Sequence, residues 1–99
     1  MLKPIRWSSY AENDFAHLLE YLNSKWNKII CNNFIEIVDI NILLIQKKPK
    51  LFPYLNKELN IRKCVLTKHN SLFYREKEDK IEILRLYDTR QNPNSLKLF

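Results

Sequence analysis

Apolar residues recur at helical spacing over two neighbouring segments in the first half of the chain. Five of them (Ala11, Phe15, Leu18, Leu19 and Leu22) fall on one side of a helix predicted from about Tyr10 to Ser24. Ser8 or Ser9 can cap its N-terminus, and Glu12 lies at capping-box spacing from Ser9. A second helix is predicted from about Asn27 to a residue before Pro49, because proline cannot continue a helix. Two helices joined by so short a link predict an antiparallel hairpin.

The second predicted helix carries an apolar arc that is wider than one packed face requires. One stripe contains Cys31, Phe34, Ile35, Val38, Ile42 and Ile45, and a neighbouring stripe contains Ile30, Ile37 and Leu44. Two explanations stay open at this point. Either the helix is buried unusually deeply, or part of its surface contacts a partner.

Alternation of polar and apolar residues replaces helical spacing near the N-terminus and throughout the second half. Lys3 to Trp7 predicts an N-terminal strand. The runs Ile61 to Thr67, Leu72 to Glu76 and Ile81 to Tyr87 predict a three-stranded antiparallel meander. The sequence therefore predicts an α+β fold: an N-terminal strand, an antiparallel helical hairpin and then the meander.

Both faces of the predicted sheet carry apolar side chains. In the last strand, alternation places Leu84 and Leu86 on one side and Ile81, Ile83, Arg85 and Tyr87 on the other. The helical hairpin can cover only one face, so we expect the other to be an exposed apolar surface that binds a partner. The alternative is that long arginine and lysine stems cover this face themselves.

Composition and charge limit the class of protein. A chain of 99 residues is expected to be one domain, residues 1–99. Its net charge of +6 suits nucleic acid, a ribosome, an acidic protein or an anionic membrane surface. Glycine is absent, which excludes the P-loop and the GxGxxG nucleotide fingerprint. No signal peptide is visible, and the apolar run Ile37 to Ile45 is too short to span a bilayer, so we expect a cytoplasmic protein.

Candidate chemistry is confined to the predicted strands. Cys31 and Cys64 lack metal-ligand spacing and are expected to be reduced thiols, so neither a metal nor a cofactor is predicted. A metal-independent ribonuclease needs proton-transfer groups and cations that stabilise the phosphorane-like charge. His69 and Tyr87 could transfer protons, and Arg75 or Arg90 could stabilise charge, although a histidine in a turn is more often solvated.

The order of these elements and several local motifs resemble the RelE/ParE superfamily of bacterial toxins. Ile5-Arg6-Trp7-Ser8 is similar to the opening strand of that family, and Phe52-Pro53 ahead of Ile61-Arg62 to its mid-chain signature. Leu72-Phe73-Tyr74-Arg75 is similar to its "Y-R" strand, and Ile81 to Arg90 to its final strand and basic tail. The similarity covers nearly the whole chain, and the order of the motifs is its specific part.

The resemblance implies the toxin of a type II toxin–antitoxin system, which inhibits growth and is silenced by a cognate antitoxin in a hetero-oligomer. RelE-like members cut mRNA on the ribosome, whereas ParE-like members poison DNA gyrase. This chain has Ser71 where RelE-like toxins place an arginine, and its tail from Asn94 to Phe99 has no tyrosine or histidine. We therefore predict a ParE-like gyrase inhibitor, which is not an enzyme. The alternative is a RelE-like, ribosome-dependent and metal-independent mRNA endoribonuclease.

Three sets of site residues follow from these expectations. The target-binding set is Arg62, Lys63, Arg75, Arg85 and Arg90. The antitoxin-binding set is Phe34, Val38, Phe73, Tyr74 and Tyr87. Under the ribonuclease alternative, the catalytic set is His69, Tyr87 and Arg90.

Overall fold

The computed structural model describes residues 2–89, in which two helices pack on one mixed sheet. In chain order the elements are β1 (Ile5–Trp7), α1 (Ser9–Lys25), α2 (Lys28–Lys47), β2 (Tyr54–Asn56), β3 (Ile61–Val65), β4 (Asn70–Glu76) and β5 (Ile81–Asp88). The sheet has five strands in the order β1-β5-β4-β3-β2. The β1 strand runs parallel to β5, and the other neighbours are antiparallel. The predicted strand, helical hairpin and antiparallel meander are confirmed.

Side chains just ahead of each helix define where the helices begin. Ser8 caps α1, because its Oγ accepts a hydrogen bond from the backbone N–H of Ala11 (3.0 Å). The helix thus begins one residue earlier than the capping box at Ser9 predicts. Asn27 caps α2 in the same way, with its Oδ1 accepting from the N–H of Ile30 (2.9 Å).

The short strand β2 is absent from the sequence-based prediction. Its three residues are all exposed and follow Pro53, so no hydrophobic alternation marks them. Contacts with β3 hold it in place: the backbone N–H of Lys63 donates to the carbonyl of Pro53 (3.0 Å), and the guanidinium of Arg62 lies 3.8 Å from the centroid of the Tyr54 ring. This strand is therefore a product of tertiary packing.

The main core lies between the helices and one face of the sheet. Its buried members are Ala11, Ile45, Cys64, Leu72, Tyr74, Ile81, Ile83 and Leu86. The opposite face of the sheet carries a second, smaller cluster of Ile61, Phe73 and Leu84, with Tyr87 packed against it. We call these the helix-side core and the far-face cluster.

A bulge in β5 decides which side chains join which cluster. Phe73 pairs with Arg85 but the next residue, Tyr74, pairs with Ile83, which leaves Leu84 as an extra residue. The prediction that Leu84 and Leu86 share a face is therefore wrong: Leu86 joins the helix-side core and Leu84 joins the far-face cluster.

The prediction that the sheet face opposite the helices is exposed is also wrong for the residues at the centre of that face. The side chains of Ile61, Phe73 and Leu84 are only 0%, 3% and 4% exposed. These three side chains are therefore buried and do not form an exposed apolar surface.

Helix α2 accounts for the wide apolar arc. Cys31, Val38 and Ile45 repeat at steps of seven residues, and all three are buried. Ile45 joins the helix-side core, and the thiol of Cys31 donates to the carbonyl of Leu19 on α1 (3.7 Å). By length and composition alone this helix could span a bilayer, and its buried side chains Cys31, Val38 and Ile45 lie along one side of it. Other apolar side chains of the helix remain at the surface, so burial accounts for only part of the arc.

Candidate functional site

The edge of β5 beyond its pairing with β1 is covered by α1. Strand β1 pairs with Ile81 to Ile83, so within residues 2–89 the backbone beyond Ile83 has no strand partner on that side. Ser8 Oγ donates to the carbonyl of Leu84 (2.7 Å), and the N–H of Leu86 donates to Asp14 Oδ2 (3.0 Å). Side chains of the helix thus satisfy backbone groups of the edge strand.

Arg85 locks this junction rather than facing a ligand. Its Nε donates to Asp14 Oδ2 (2.7 Å) and its Nη2 to Asp14 Oδ1 (2.9 Å), and both side chains are 14% exposed. The hydrogen bond with Asp14 raises the pKa of Arg85 above its usual range. The guanidinium also lies 5.2 Å from the centroid of the Tyr10 ring. Arg85 therefore ties β5 to α1.

Arg75 is paired across the β4–β5 ladder. Its Nε donates to Glu82 Oε1 (2.8 Å), and the ammonium of Lys77 lies 3.5 Å from the same oxygen. Partial burial raises the pKa of Glu82, but the hydrogen bond from Arg75 and the two positive charges outweigh burial and lower that pKa. A guanidinium held in this way is partly neutralised before any target arrives.

Arg62 holds the loop that precedes β2. Its Nη1 donates to the carbonyls of Phe52 (2.7 Å) and Lys50 (3.4 Å). The neighbouring Tyr74 hydroxyl donates to the carbonyl of Pro49 (2.7 Å), and burial raises the pKa of Tyr74 to about 12. Together these two side chains fix the backbone between α2 and β2.

Most of the predicted target-binding set is therefore engaged within the chain. Arg62, Arg75 and Arg85 bind carbonyls or carboxylates of their own protein. Lys63 is half-buried on β3, and within residues 2–89 its ammonium forms no ion pair. Arg90 lies outside the described residues.

Two of the three predicted catalytic residues, His69 and Tyr87, lie at one end of the sheet. Tyr87 pairs with Ser71 in the β4–β5 ladder, and its ring stacks on Phe73 with centroids 5.8 Å apart. His69 is exposed in the bend before β4, and its carbonyl accepts the N–H of Thr89 (2.7 Å). The fold brings His69 and the end of β5 together, and the third member of the set, Arg90, follows immediately in sequence.

An open groove separates α2 from the bend before β4. It has a volume of about 270 Å³ and is lined by Leu22, Ile30, Asn33, Phe34, Ile37, Thr67 and Asn70. Asn70 Nδ2 donates to Thr67 Oγ1 (3.0 Å), but its Oδ1 is buried without a hydrogen-bond partner in the described part of the chain. A buried acceptor of this kind favours a ligand that brings a donor.

Burial separates the predicted antitoxin-binding residues from the surface. Phe34, Val38, Phe73 and Tyr74 are all buried, and Tyr87 is half-buried. As core side chains they offer almost no area for direct contact, and only Phe34 also lines the groove. The sequence prediction missed the apolar residues that are exposed on α2: Ile29, Ile40 and Leu43. Their own helical spacing was the signal that could have identified them.

One family of known proteins matches most of the chain. The family described as "ParE toxin of type II toxin-antitoxin system, parDE" matches residues 5–93. No curated protein matches the sequence significantly.

Three similar solved structures cover almost the whole fold. A structure titled as the chromosomal ParDE toxin–antitoxin system of Pseudomonas aeruginosa has a TM-score of 0.75 and 14% identity, covering 90% of this chain and 98% of that one. A copper-bound mutant toxin from Helicobacter pylori has a TM-score of 0.62 and 26% identity, covering 89% and 94%. A structure of the Escherichia coli DinJ–YafQ toxin–antitoxin complex has a TM-score of 0.60 and 9% identity, covering 89% and 93%.

The family match spans every described element, from β1 to the end of β5, and the solved structures share the same fold. The predicted membership of the RelE/ParE superfamily is confirmed. The chain belongs to the ParE toxin family of type II toxin–antitoxin systems.

Proposed function

We propose that this protein is a growth-inhibiting toxin that acts on DNA gyrase and is neutralised by a cognate antitoxin. The observation that carries the proposal is the match to the ParE toxin family over residues 5–93. A shared fold does not identify the molecule that a toxin acts on. The contacts of the charged side chains are a second source of support for the proposed target.

The contacts of the sheet arginines weigh against a nuclease that uses Arg75 to stabilise charge on phosphate. A cleavage site needs cations free to stabilise charge that develops on phosphate. Arg62, Arg75 and Arg85 are instead held by carbonyls and carboxylates at 2.7–2.8 Å. Using them in catalysis would require those contacts to break, and the cost of breaking a half-buried pair is about 1–3 kcal/mol.

The groove beside α2 is the proposed anchor point for the antitoxin. Leu22, Ile30, Phe34 and Ile37 give it apolar walls. The buried Oδ1 of Asn70, which has no hydrogen-bond partner within residues 2–89, gives it one directional acceptor. It would take an amphipathic segment with an apolar anchor and a nearby donor. A net charge of +6 favours acidic residues on either side of that anchor.

A supercoiling assay with the purified toxin and gyrase tests the proposed target. We expect loss of supercoiling activity and accumulation of cleaved DNA, both reversed by the antitoxin. Lys63→Ala should weaken inhibition, because Lys63 is the predicted target-binding cation without an ion-pair partner in residues 2–89. Lys57→Ala, an exposed lysine before β3, is the matched control. Unimpaired gyrase at toxin concentrations that arrest growth would refute the target.

A ribosome-dependent mRNA endoribonuclease is the second candidate, favoured by the position of His69 next to the end of β5. The Thr89 N–H donates to the His69 carbonyl (2.7 Å), and Arg90 follows Thr89 in the sequence. Mapping of new mRNA 5′ ends shortly after induction tests this candidate. Fresh ends within codons that disappear in His69→Ala and Tyr87→Phe would support it, and intact messages during growth arrest would exclude it.

A further inference from the structure

Helix α2 has a second apolar side, opposite the one that packs on the sheet. Cys31, Val38 and Ile45, at steps of seven residues, face the core. On the opposite side lie Ile29, Asn33, Glu36, Ile40 and Leu43, at alternating steps of four and three residues. This is the spacing of the seam between two paired helices. We call these five residues the outer stripe.

The outer stripe is open to solvent along its whole length. Ile29, Ile40 and Leu43 are 71%, 59% and 47% exposed, and Asn33 and Glu36 between them are exposed as well. The three large apolar side chains lie at the two ends of this row, with the polar Asn33 and Glu36 between them. A row with seam spacing fits another helix.

We propose that this second helix is α2 of another copy of the same chain, packed antiparallel across a two-fold axis. A two-fold interface must be self-complementary, so that residue i meets residue j and residue j meets residue i. With the axis between residues 34 and 35, Ile29 meets Ile40 of the second copy, and Asn33 meets Glu36 of the second copy. The apolar side chains then pair with each other, and the asparagine amide donates to the carboxylate.

The residues beside the stripe match in the same register. Asn32 comes next to Asp39 of the second copy, which again places an amide against a carboxylate. Ile30 comes next to Ile37 of the second copy, which extends the apolar contact. Both acidic residues in the middle of α2 thus face asparagines and not each other.

Other registers lose this complementarity. A shift by one heptad in one direction places Asn33 against Leu43 and Glu36 against Ile40. A shift in the other direction places Asn33 against Ile29 and Glu36 against Trp26. A parallel pair would place Glu36 against its own copy in the seam, where like charges are unfavourable. Only the antiparallel register centred between residues 34 and 35 pairs every stripe residue between Ile29 and Ile40 with a suitable partner.

The contact is short, so the dimer is expected to be weak. The stripe from Ile29 to Leu43 extends about 21 Å along the helix. Interfaces of this limited size are typical of transient association. Each copy carries a net charge of +6, so repulsion opposes pairing and added salt should strengthen it.

Sedimentation equilibrium of the full chain tests the proposal. From about 10 µM to about 500 µM, the apparent mass should rise from 12.1 kDa towards twice that value, and more steeply at higher salt. Ile40→Glu should keep the protein monomeric, because it places a charge against Ile29. Val65→Glu changes a side chain of similar exposure (61%) on the far face of the sheet and should dimerise like the wild type.

A charge swap tests the register itself. In Asn33→Asp, each new carboxylate faces Glu36 of the second copy, and every dimer contains two such like-charged pairs. The dissociation constant of the dimer should rise by at least about tenfold. Asn33→Asp combined with Glu36→Asn restores one amide and one carboxylate in each pair and should restore dimerisation. Circular dichroism verifies that each variant is folded. A wild type that stays monomeric, a dimeric Ile40→Glu, or a failure of the double variant to rescue would each overturn the proposal.

Discussion

Asp14→Ala is the substitution that should most sharply weaken the junction between α1 and the sheet. The carboxylate accepts hydrogen bonds from Arg85 Nε (2.7 Å), Arg85 Nη2 (2.9 Å) and the backbone N–H of Leu86 (3.0 Å). Removal of the carboxylate takes away the acceptor of both hydrogen bonds from Arg85 and the acceptor of the Leu86 N–H at the sheet edge. Breaking one partner of a fully buried pair costs about 3–5 kcal/mol, and the 14% exposure of both side chains favours the lower end.

A loss of about 3 kcal/mol is a large share of the 5–15 kcal/mol that stabilises a typical domain. In a chain of this length it lowers the midpoint of thermal unfolding by roughly 12–24 °C. Urea unfolding, followed by circular dichroism and by tryptophan fluorescence, measures the free energy of unfolding. Trp7 is the useful fluorescence reporter, because the centroid of its ring lies 5.3 Å from that of Phe15 across the β1–α1 junction. Trp26 is 66% exposed and reports less on this junction.

Two variants separate the ion pair from a general effect of truncation on α1. Glu20→Ala removes an exposed acid from the same helix and should change stability by less than about 0.5 kcal/mol. Arg85→Lys keeps the charge but cannot make the two-pronged contact, so it should lose about half as much as Asp14→Ala. If Asp14→Ala is as stable as Glu20→Ala, the junction does not depend on this pair and the reasoning is refuted.

Three further predictions concern pH and the core. Burial raises the pKa of Tyr74 from 10.0 to about 12 and that of Cys64 from 9.0 to about 11, so the unfolded state loses these protons first. Stability should therefore fall between about pH 9 and pH 12, and Tyr74→Phe should make that loss shallower in alkaline urea titrations. The lowered pKa of Glu82 gives stability that is present above about pH 4.5 and lost as pH falls through its folded value. Glu82→Gln should make stability independent of this titration. The contribution lost is at most about 1 kcal/mol of the free energy of unfolding, because the pair is partly exposed. Ile45→Ala, at a fully buried position, should cost about 3 kcal/mol in urea unfolding, and Leu43→Ala on the exposed side of α2 should cost under about 1 kcal/mol.

Each of these predictions has a contradicting result. A Tyr74→Phe variant with the wild-type alkaline slope would show that the buried hydroxyl does not titrate late. If the free energy of unfolding of Glu82→Gln falls at acid pH as steeply as that of the wild type, the pair with Arg75 does not stabilise the fold. Equal losses for Ile45→Ala and Leu43→Ala would contradict the assignment of the two sides of α2.

The helices show how much local pattern can predict. The apolar spacing of Phe15 and Leu18 predicted α1, and Pro49 correctly marked the limit of α2. Local signals also predicted β4 and β5 to within two residues at each end. These elements are determined by side chains close in sequence, which a pattern of residues records directly.

Elements and contacts that depend on distant residues were not predictable in this way. Strand β2 forms because Arg62 and Lys63 on β3 bind the segment around Pro53 and Tyr54. The bulge at Leu84 exchanges the faces of β5, and no residue type in that strand signals it. A proline or glycine would have been the usual sign of such an irregularity, and the chain has no glycine at all.

The predicted sites show the same limit. The sequence identified the basic residues of the strand region, but it could not show that Arg85 would be paired with Asp14, which lies 71 residues earlier in the chain. It identified the apolar residues of α2, but it could not show that Val38 would be buried while Ile40 would remain exposed.

By itself the sequence determined the helices, the antiparallel meander and the toxin superfamily, because each depends on local spacing or on the order of motifs. The tertiary structure alone decided which arginines are neutralised, which apolar side chains stay at the surface and where β5 changes face. Those properties arise from contacts between residues far apart in the chain, where burial and pairing set the energy of each side chain.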